Sequence, residues 1–190
     1  MVETSATIQA LCYILGKVKK ADKLKLVKLL FLADKYHLVQ YGRTITNDDY
    51  WAMSYGPVGS TAKDVLSLDP DFLSKEEYKY AAERLKRVGK HTFISGKKCA
   101  PETLDMLSGS DIEILDFVID KFGKMSKWGL IEYTHRYPEW AQYKALFEKN
   151  LTRRERIRPV ELLSLLEDDK LAVSEEHIQE SREILTGTYD

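Results

Sequence analysis

The sequence has little of what marks exported, membrane-spanning or strongly charged proteins. Its 190 residues contain two cysteines. Cys12 lies in an apolar helical pattern and Cys99 follows a basic stretch, so the pair predicts neither a disulfide framework nor a CxxC metal site. No apolar run approaches the length of a membrane-spanning helix, and the N-terminal MVETSATIQALCYIL has no basic n-region or cleavage site. The cysteines thus fit a reducing compartment best, and we expect a cytoplasmic protein that is not exported and does not bind membranes.

The motifs that mark common classes of enzyme and cofactor-binding protein are also missing. The four histidines are scattered along the chain, whereas a metal site needs three or four converging ligands. There is no glycine-rich phosphate loop, HExxH pair or nucleophile elbow. A formal net charge of −1 predicts no chain-wide attraction to nucleic acid. We therefore predict no cofactor, no metal site and no enzymatic activity.

What the sequence does contain is helical periodicity over most of its length. Apolar residues recur at helical spacing from about Ser5 to about Val18. In LKLVKLLFLADKYHL they cover most of the circumference, which is typical of a central buried helix. Asp22 predicts the start of that helix and Gly42 its end. Further helix starts are indicated by serine caps and prolines, at Ser74 with Glu77, Ser110 with Glu113, Ser126, Pro138, Pro159 and Ser174.

Two short stretches favour β-structure within this helical chain. Residues 49–55 are too short and too aromatic for an independent helix and predict a strand, after which Gly56-Pro57 is expected to open a helix. In RVGKHTFISGKK, Gly89-Lys90 lies between two β-capable runs and predicts a hairpin whose first strand starts at Leu85. The same residues, Leu85 to Val88, also fit the end of the preceding helix. The expected fold class is mainly α (α+β): a helical domain around a central buried helix, with a small antiparallel β-sheet or hairpin.

The aromatic stretch YWAMSYGPVG, residues 50–59, allows two interpretations. In the first, its rings fill the core at a corner where Gly56 lets the chain turn. In the second, rings left at the surface are rigid anchors for a partner, since Tyr and Trp are enriched at interfaces. The sequence favours the first interpretation and leaves the second open for one face of the strand.

Three stretches together resemble a known family. They are KLVKLLFLADKYHLVQYGRTIT at 25–46, YWAMSYGPV at 50–58 and LSGSDIEILDFVIDKFGKMSKWGLIEYTHRYPEW at 107–140. In this order and spacing they resemble the Panacea domain, the SocA-like antitoxin family. We therefore expect a Panacea-like antitoxin domain over residues 1–150 and a C-terminal helical extension over residues 151–190 that packs on the same domain.

The resemblance implies a mostly helical protein found in bacteria and their phages as the antitoxin half of two-gene toxin–antitoxin pairs. Its partner would be a cognate protein toxin from the adjacent gene, neutralised by direct protein–protein binding. Residue type and the matching stretches suggest six partner-binding side chains: Arg43, Trp51, Tyr55, Trp128, His135 and Trp140.

Two other functions remain open at this point. A nucleic-acid-binding regulator would use the basic segment 84–98, which has six Lys or Arg and no acidic residue, although no known binding motif accompanies it. The same segment could instead be a solvated surface, or contact an acidic partner or the acidic run between Glu161 and Glu183. An enzyme would be centred on His135, with Glu132 three residues earlier on the same helical face.

Overall fold

The computed structural model of the chain describes residues 2–69, 71–96, 99 and 101–188. The helices in chain order are α1 (Val2–Val18), α2 (Lys23–Tyr41), α3 (Ser60–Val65), α4 (Lys75–Arg84), α5 (Gly109–Phe122), α6 (Lys127–His135), α7 (Pro138–Ala141), α8 (Lys144–Glu148) and α9 (Glu175–Thr186). The strands are β1 (Lys20–Asp22), β2 (Tyr50–Met53), β3 (Gly56–Gly59), β4 (Leu85–Arg87), β5 (Thr92–Ser95) and β6 (Arg154–Ile157). Short 3₁₀ turns lie at Pro101–Thr103 and Pro159–Leu163. The expected class, mainly α with a small antiparallel β component, is confirmed.

Helix α2 lies at the centre of the fold. All fourteen residues from Leu26 to Val39 are buried, and α1, α5, α6, α9 and β3 pack around the helix. Asp22 accepts a hydrogen bond from the amide of Leu24 at the N-terminus. Gly42 ends the helix with a φ of 69°, the left-handed conformation that glycine adopts without a steric penalty. The predicted central buried helix and both of its ends are confirmed.

Helix α5 begins at a different serine from the one predicted. Its capping box is formed by Ser108 and Asp111, not by Ser110 and Glu113. Asp111 is the better capping partner because Arg43, on the loop after α2, also binds its carboxylate, at 2.9 Å. The remaining predicted helix starts are confirmed: Ser74, Ser126, Pro138, Pro159 and Ser174. The element that begins at Pro159 is a 3₁₀ turn.

The strands form two three-stranded antiparallel sheets, in the orders β1-β5-β4 and β3-β2-β6. The predicted hairpin is the β4–β5 pair, in which Leu85 lies opposite Ser95. Helix α4 ends at Arg84 and β4 begins at Leu85. The stretch that could have been helix or strand is therefore helical up to Arg84 and a strand from Leu85. In the second sheet β2 is central, with Trp51 opposite Val58 on one side and Arg156 on the other.

The prediction that Gly56-Pro57 opens a helix is wrong. These two residues begin β3, and α3 starts only at Ser60. Gly56 has a φ of 96° where the chain turns back on itself. Pro57 is accommodated because β3 is an edge strand, where one side needs no amide donor. The sequence analysis also predicts neither β1 nor β6, since each is three or four largely polar residues that pair with a distant strand.

The two cysteines are paired, which corrects the expectation from their sequence environment. Cys12 of α1 and Cys99, just beyond β5, form a disulfide with their Cα atoms 5.6 Å apart. The hairpin folds back over α1, so residues 87 positions apart in sequence become neighbours. This pairing removes the basis on which the cysteines indicated a reducing compartment.

Residues beyond 150 contact α2 at several points. The Nζ of Lys35 donates to the carbonyls of Leu162 and Ser164 at 2.9 and 2.5 Å. Near the other end of the segment, the Ser181 hydroxyl donates to the carbonyl of Val39 at 2.7 Å. These hydrogen bonds attach the segment to the central helix through backbone groups.

Leu30→Ala is expected to lower the free energy of unfolding by about 2–5 kcal/mol. Leu30 is 1% exposed in the middle of α2, so the substitution loses transfer free energy and leaves a cavity. Thermal and denaturant unfolding measure the loss. Leu151→Ala is the control, because Leu151 is 69% exposed. Equal stability of the two variants would show that the core is misplaced.

Candidate protein-binding site

The turn between β2 and β3 presents Tyr55 to solvent. Tyr50 and Ala52 are buried, and the Tyr50 ring packs edge-on against Phe31 with ring centres 6.1 Å apart. Tyr55 follows at the tip of the turn and is 56% exposed. The stretch YWAMSYGPVG is therefore part core and part surface, and the partner interpretation stays available for Tyr55.

A second exposed ring lies beside Tyr55. Trp128, the second residue of α6, is 58% exposed, and its ring centre is 6.4 Å from that of Tyr55. Ser126 caps α6 and so sets the helix start next to the turn. The Nζ of Lys127 lies 5.3 Å from the Trp128 ring and 3.3 Å from the Asp22 carboxylate. We call Tyr55 and Trp128 the aromatic pair.

A cleft of about 720 Å³ opens beside Tyr55. Apolar side chains from α2, β2 and β3 line it: Leu24, Val27, Met53 and Val58. Three cations from separate segments also line it: Lys23, Lys63 and Arg153. A cleft of this size can enclose an apolar side chain of a partner while polar neighbours meet the cations.

The backbone of the turn leaves no room for a side chain at position 56. A Cβ on Gly56 would lie 2.7 Å from the Nζ of Lys28 and 3.0 Å from the Oγ1 of Thr134. Lys28 is fully buried and donates to the carbonyl of Pro57 at 2.6 Å. Burial lowers the pKa of Lys28 well below its usual value. The turn that carries Tyr55 is thus packed directly against α2 and α6.

His135 and Trp140 pack against the buried side of the β2–β3 turn. Their rings stack with centres 3.5 Å apart and planes within 4°. The Nε1 of Trp140 donates to the carbonyl of Met53 at 2.8 Å. Trp140 is only 4% exposed, and His135 is half-buried. In this structure Trp140 therefore holds the end of β2, and His135 packs against Trp140.

The surroundings of His135 differ from those of a catalytic acid–base pair. Burial, and then the amino groups of Lys28 and Lys144, lower the pKa of His135 to about 4, which makes its imidazole a weak base. Glu132 is exposed, and the Nε2 of His135 has no hydrogen-bond partner among the described residues. Within the part of the chain that the structure describes, His135 and Glu132 are joined by neither a hydrogen bond nor an ion pair.

The other two predicted residues have partners within the chain. Trp51 is half-buried, with the guanidinium carbon of Arg154 4.4 Å from its ring centre. Arg43 donates to the Asp111 carboxylate at 2.9 Å. Burial by itself raises the pKa of Asp111, but hydrogen bonds, first from His37, and the charge of Arg43 bring it down to about 2. Arg43 thus fixes the start of α5 while its side chain stays half exposed.

The basic segment 84–98 has a mixed environment. Arg84 is buried, with its guanidinium carbon 3.6 Å from the centre of the Tyr80 ring. Three further cations are exposed: Lys86, Arg87 and Lys90. Two lie outside the described residues: Lys97 and Lys98. Where the chain is described, no ion pair joins the hairpin to the acidic run 161–183, whose residues instead bond to the C-terminal end of α2.

Sequence reasoning missed the residues that shape the cleft. Leu24 and Val27 belong to the apolar pattern of α2, and only the packing of the β2–β3 turn beside them leaves a space. The available signal was the basic run from Lys17 to Lys28. The lysines of this run have different environments in the structure. Lys23 lines the cleft, whereas Lys25 turns inward and donates to the carbonyl of Gly123 at 2.6 Å.

Neither a metal site nor a membrane-spanning helix is found in the described ranges. The His, Cys, Asp and Glu side chains there nowhere gather in a group of three or more that could hold a metal ion. No helix in that part of the chain is both long and apolar enough to cross a membrane.

Comparison with known proteins identifies a family. The sequence matches the family described as antitoxin SocA-like, Panacea domain, over residues 26–141, more than half of the chain. No curated protein or solved structure shows significant similarity to it. The matched region includes most of α2, the turn with Tyr55, and α6 with Trp128. The chain thus belongs to the SocA-like antitoxin family, whose members carry the Panacea domain.

Proposed function

We propose that this protein is a cytoplasmic antitoxin that neutralises a cognate protein toxin by binding it directly, without catalytic turnover. Membership of an antitoxin family supports an antitoxin role and, in general, a toxin as the partner. The toxin would be the product of the adjacent gene. Inhibition would then be stoichiometric, with one surface of the antitoxin covered in the complex.

The aromatic pair is the observation that carries this proposal. Two large rings are more than half exposed, with centres 6.4 Å apart; Tyr55 is on the tightly packed turn and Trp128 is in the first turn of α6. Protein interfaces concentrate their binding free energy on a few Trp, Tyr and Arg side chains with near-neutral contacts around them. A stable complex buries about 1,200–2,000 Å² in total. The aromatic pair and the adjoining cleft would form the centre of such an area.

The remaining predicted residues take different parts in this proposal. Trp51 is half-buried on the strand before the turn and would contact the toxin at the rim. Arg43 lies beyond the C-terminal end of α2, at the opposite end of that helix from the cleft, and would contact the toxin only where the interface extends to that end. His135 and Trp140 would act indirectly, by holding the turn that carries Tyr55. The C-terminal extension would adapt the surface to this protein's own toxin, since its Thr152 and Arg153 line the cleft.

Tyr55→Ala/Trp128→Ala is expected to weaken toxin binding by about 2 kcal/mol or more per ring, roughly 30-fold each. Isothermal titration calorimetry with the purified product of the adjacent gene measures the loss, and rescue on co-expression should fall in parallel. The matched control is Phe72→Ala/Tyr78→Ala, because these rings are 62% and 39% exposed and do not line the cleft. Equal affinities of the two double variants would place the toxin elsewhere.

Titration of the toxin distinguishes binding from turnover. Neutralisation should end at a fixed molar ratio, and the two proteins should elute together on size-exclusion chromatography. His135→Ala should still protect at a higher dose, because His135 only supports the turn that carries Tyr55 and the aromatic pair itself is kept. The enzyme alternative makes the opposite prediction: trace amounts would neutralise a large excess of toxin without a stable complex, and His135→Ala would abolish this at every dose.

A further inference from the structure

A second, smaller cavity adjoins the cleft beside Tyr55. It has a volume of about 220 Å³ and lies between the first turn of α2 and the hairpin β4–β5. Lys23, the first residue of α2, lines both cavities. We refer to the cleft and this cavity together as the paired cavities.

The charged groups that line the paired cavities are positive. Five Lys or Arg side chains line one or the other: Lys23, Lys63, Arg87, Lys90 and Arg153. No Asp or Glu among the described residues does so. Asp64 pairs with Lys63 at 3.0 Å, but the described part of the chain offers Lys23, Lys90 and Arg153 no ion-pair partner. In a protein with a net charge of −1, this is a local excess of positive charge.

Lys23 is held in place with hydrogen-bonding capacity to spare. Its amide donates to the carbonyl of His91 and its Nζ to the Oγ of Ser67, both at 2.7 Å. An ammonium group has three donors, so two of them can face the cavities. Burial, and then the charge of Lys63, lower the pKa of Lys23, with Asp64 partly opposing them. A bound carboxylate would oppose both of these effects.

The chain's own acidic run lies too far away to occupy this site. In that run, His177 hydrogen-bonds to the carbonyl of Gln40 and Ser181 to that of Val39. These carbonyls are at the C-terminal end of α2, about 25 Å from Lys23 at 1.5 Å per residue. The earlier part of the run packs on Lys35 in the middle of α2, through the carbonyls of Leu162 and Ser164. No Asp or Glu of the described residues lines either cavity, so we assign the occupant to another molecule.

The apolar part of the larger cavity favours a protein over a nucleic acid. Leu24 and Met53 are partly exposed there and, with the buried Val27 and Val58 behind them, provide a surface against which an aliphatic side chain can pack. A single-stranded nucleic acid would use the cations and stack on Tyr55, since such binding depends on cations and aromatic stacking, but it would leave the aliphatic surface without a partner. The combination of an apolar pocket with surrounding cations matches a peptide that has both an aliphatic and several acidic residues.

We propose that the paired cavities bind an acidic segment of the toxin, with an aliphatic side chain in the larger cavity and flanking carboxylates at Lys23, Lys90 and Arg153. This inference rests on the proposed function, because the segment belongs to the toxin. It adds the chemistry by which the toxin is recognised.

Fluorescence anisotropy with short labelled peptides tests this chemistry on the full chain. The main probe is a peptide in which one leucine is flanked on both sides by glutamates. The comparison probes replace the leucine by serine, replace the glutamates by lysines, or substitute a single-stranded oligonucleotide. We expect the acidic leucine peptide to bind most tightly. Its affinity should fall with added salt, because exposed charges are screened over about 10 Å at 0.1 M.

Charge reversal locates the binding. Lys90→Glu/Arg153→Glu changes one residue of each cavity and should weaken binding of the acidic leucine peptide roughly tenfold or more. Lys79→Glu/Lys149→Glu changes the net charge equally at two exposed residues that line neither cavity, and should have a much smaller effect. Lys23→Met removes the shared ammonium while keeping an apolar stem, and should also weaken binding. Thermal unfolding of each variant shows that it is folded.

Several outcomes would overturn the inference. One is equal weakening by the two double reversals, and another is no binding of the acidic leucine peptide. Tighter binding of the oligonucleotide would assign the basic surface to nucleic acid instead. The proposed function is tested separately: a toxin complex that depends on the aromatic pair, but not on Lys90 and Arg153, would keep that function and remove this inference. If the adjacent gene's product does not bind but the acidic peptide does so as expected, the proposed function fails and the recognition chemistry of the cavities stands.

Discussion

Glu139→Ala is expected to lower the free energy of unfolding by about 3–5 kcal/mol. The Oε1 of Glu139 lies 2.8 Å from the Nζ of Lys35, and both side chains are fully buried. Lys35 also donates to the carbonyls of Leu162 and Ser164, so its three donors are all used. Without the carboxylate, Lys35 is either an uncompensated buried charge or must lose its proton. Denaturant unfolding measures the loss.

A double substitution separates the ion pair from the packing around it. Burial lowers the pKa of Lys35 and raises that of Glu139, while their mutual attraction opposes both shifts. Lys35→Met/Glu139→Leu removes both charges but also the donor to the carbonyls of Leu162 and Ser164, so it should recover part of the lost stability. The surface control is Glu148→Ala, whose pair with Lys144 spans 3.8 Å between largely exposed side chains and should matter by less than about 0.5 kcal/mol. If the double variant is no more stable than Glu139→Ala, the unpaired charge is not the cause.

Gly56→Val is expected to lower the free energy of unfolding by about 2–6 kcal/mol, the sum of backbone strain and crowding. Gly56 has a φ of 96°, a region that β-branched residues avoid. A Cβ there would also lie 2.7 Å from the Nζ of Lys28 and 3.1 Å from the Cδ2 of His135. Lys28 can move away only by giving up its hydrogen bond to the carbonyl of Pro57. Thermal unfolding and the soluble yield measure the effect.

Two alanine variants separate the backbone strain from the crowding. Gly187 also has a positive φ, 68°, but a Cβ there would have no heavy atom within 4 Å. Gly187→Ala should therefore cost only the left-handed conformation, about 1–2 kcal/mol, and Gly56→Ala should cost more. Equal losses of unfolding free energy in the two variants would mean that the side chains around Gly56 move aside at no cost. Normal folding of Gly56→Val with selective loss of toxin binding would instead make the turn a binding element rather than a structural corner.

The helices were predictable because their signals are local. Apolar spacing identified α2, and Asp22 and Gly42 marked its ends. The error at α5 shows how closely spaced such signals can be. Two serines two residues apart each start a capping pattern, and Arg43 favours Asp111 from a distant loop. Strands β1 and β6 carried too weak a signal of their own, because short polar segments become strands only when a partner strand lies beside them.

The candidate site was only half predictable for the same reason. Tyr55 and Trp128 stand out as large rings in the sequence, but so does Trp140, which is buried. The residues that neighbour an aromatic side chain in sequence do not indicate whether its ring is exposed or buried. The paired cavities were not predicted, since their cations come from α2, α3, the β4–β5 hairpin and the segment before β6.

By itself, the sequence determined the fold class, the central buried helix, the positions of most helices and the resemblance to the Panacea domain. These properties depend on periodicity and capping within a few turns of chain, or on stretches that keep their order. Only the tertiary structure decided that Tyr55 and Trp128 meet in solvent, that Cys12 and Cys99 pair, and that Lys23 joins two cavities. Each of these depends on contacts between residues more than 60 positions apart, where packing of the whole chain, rather than local preference, sets the distance.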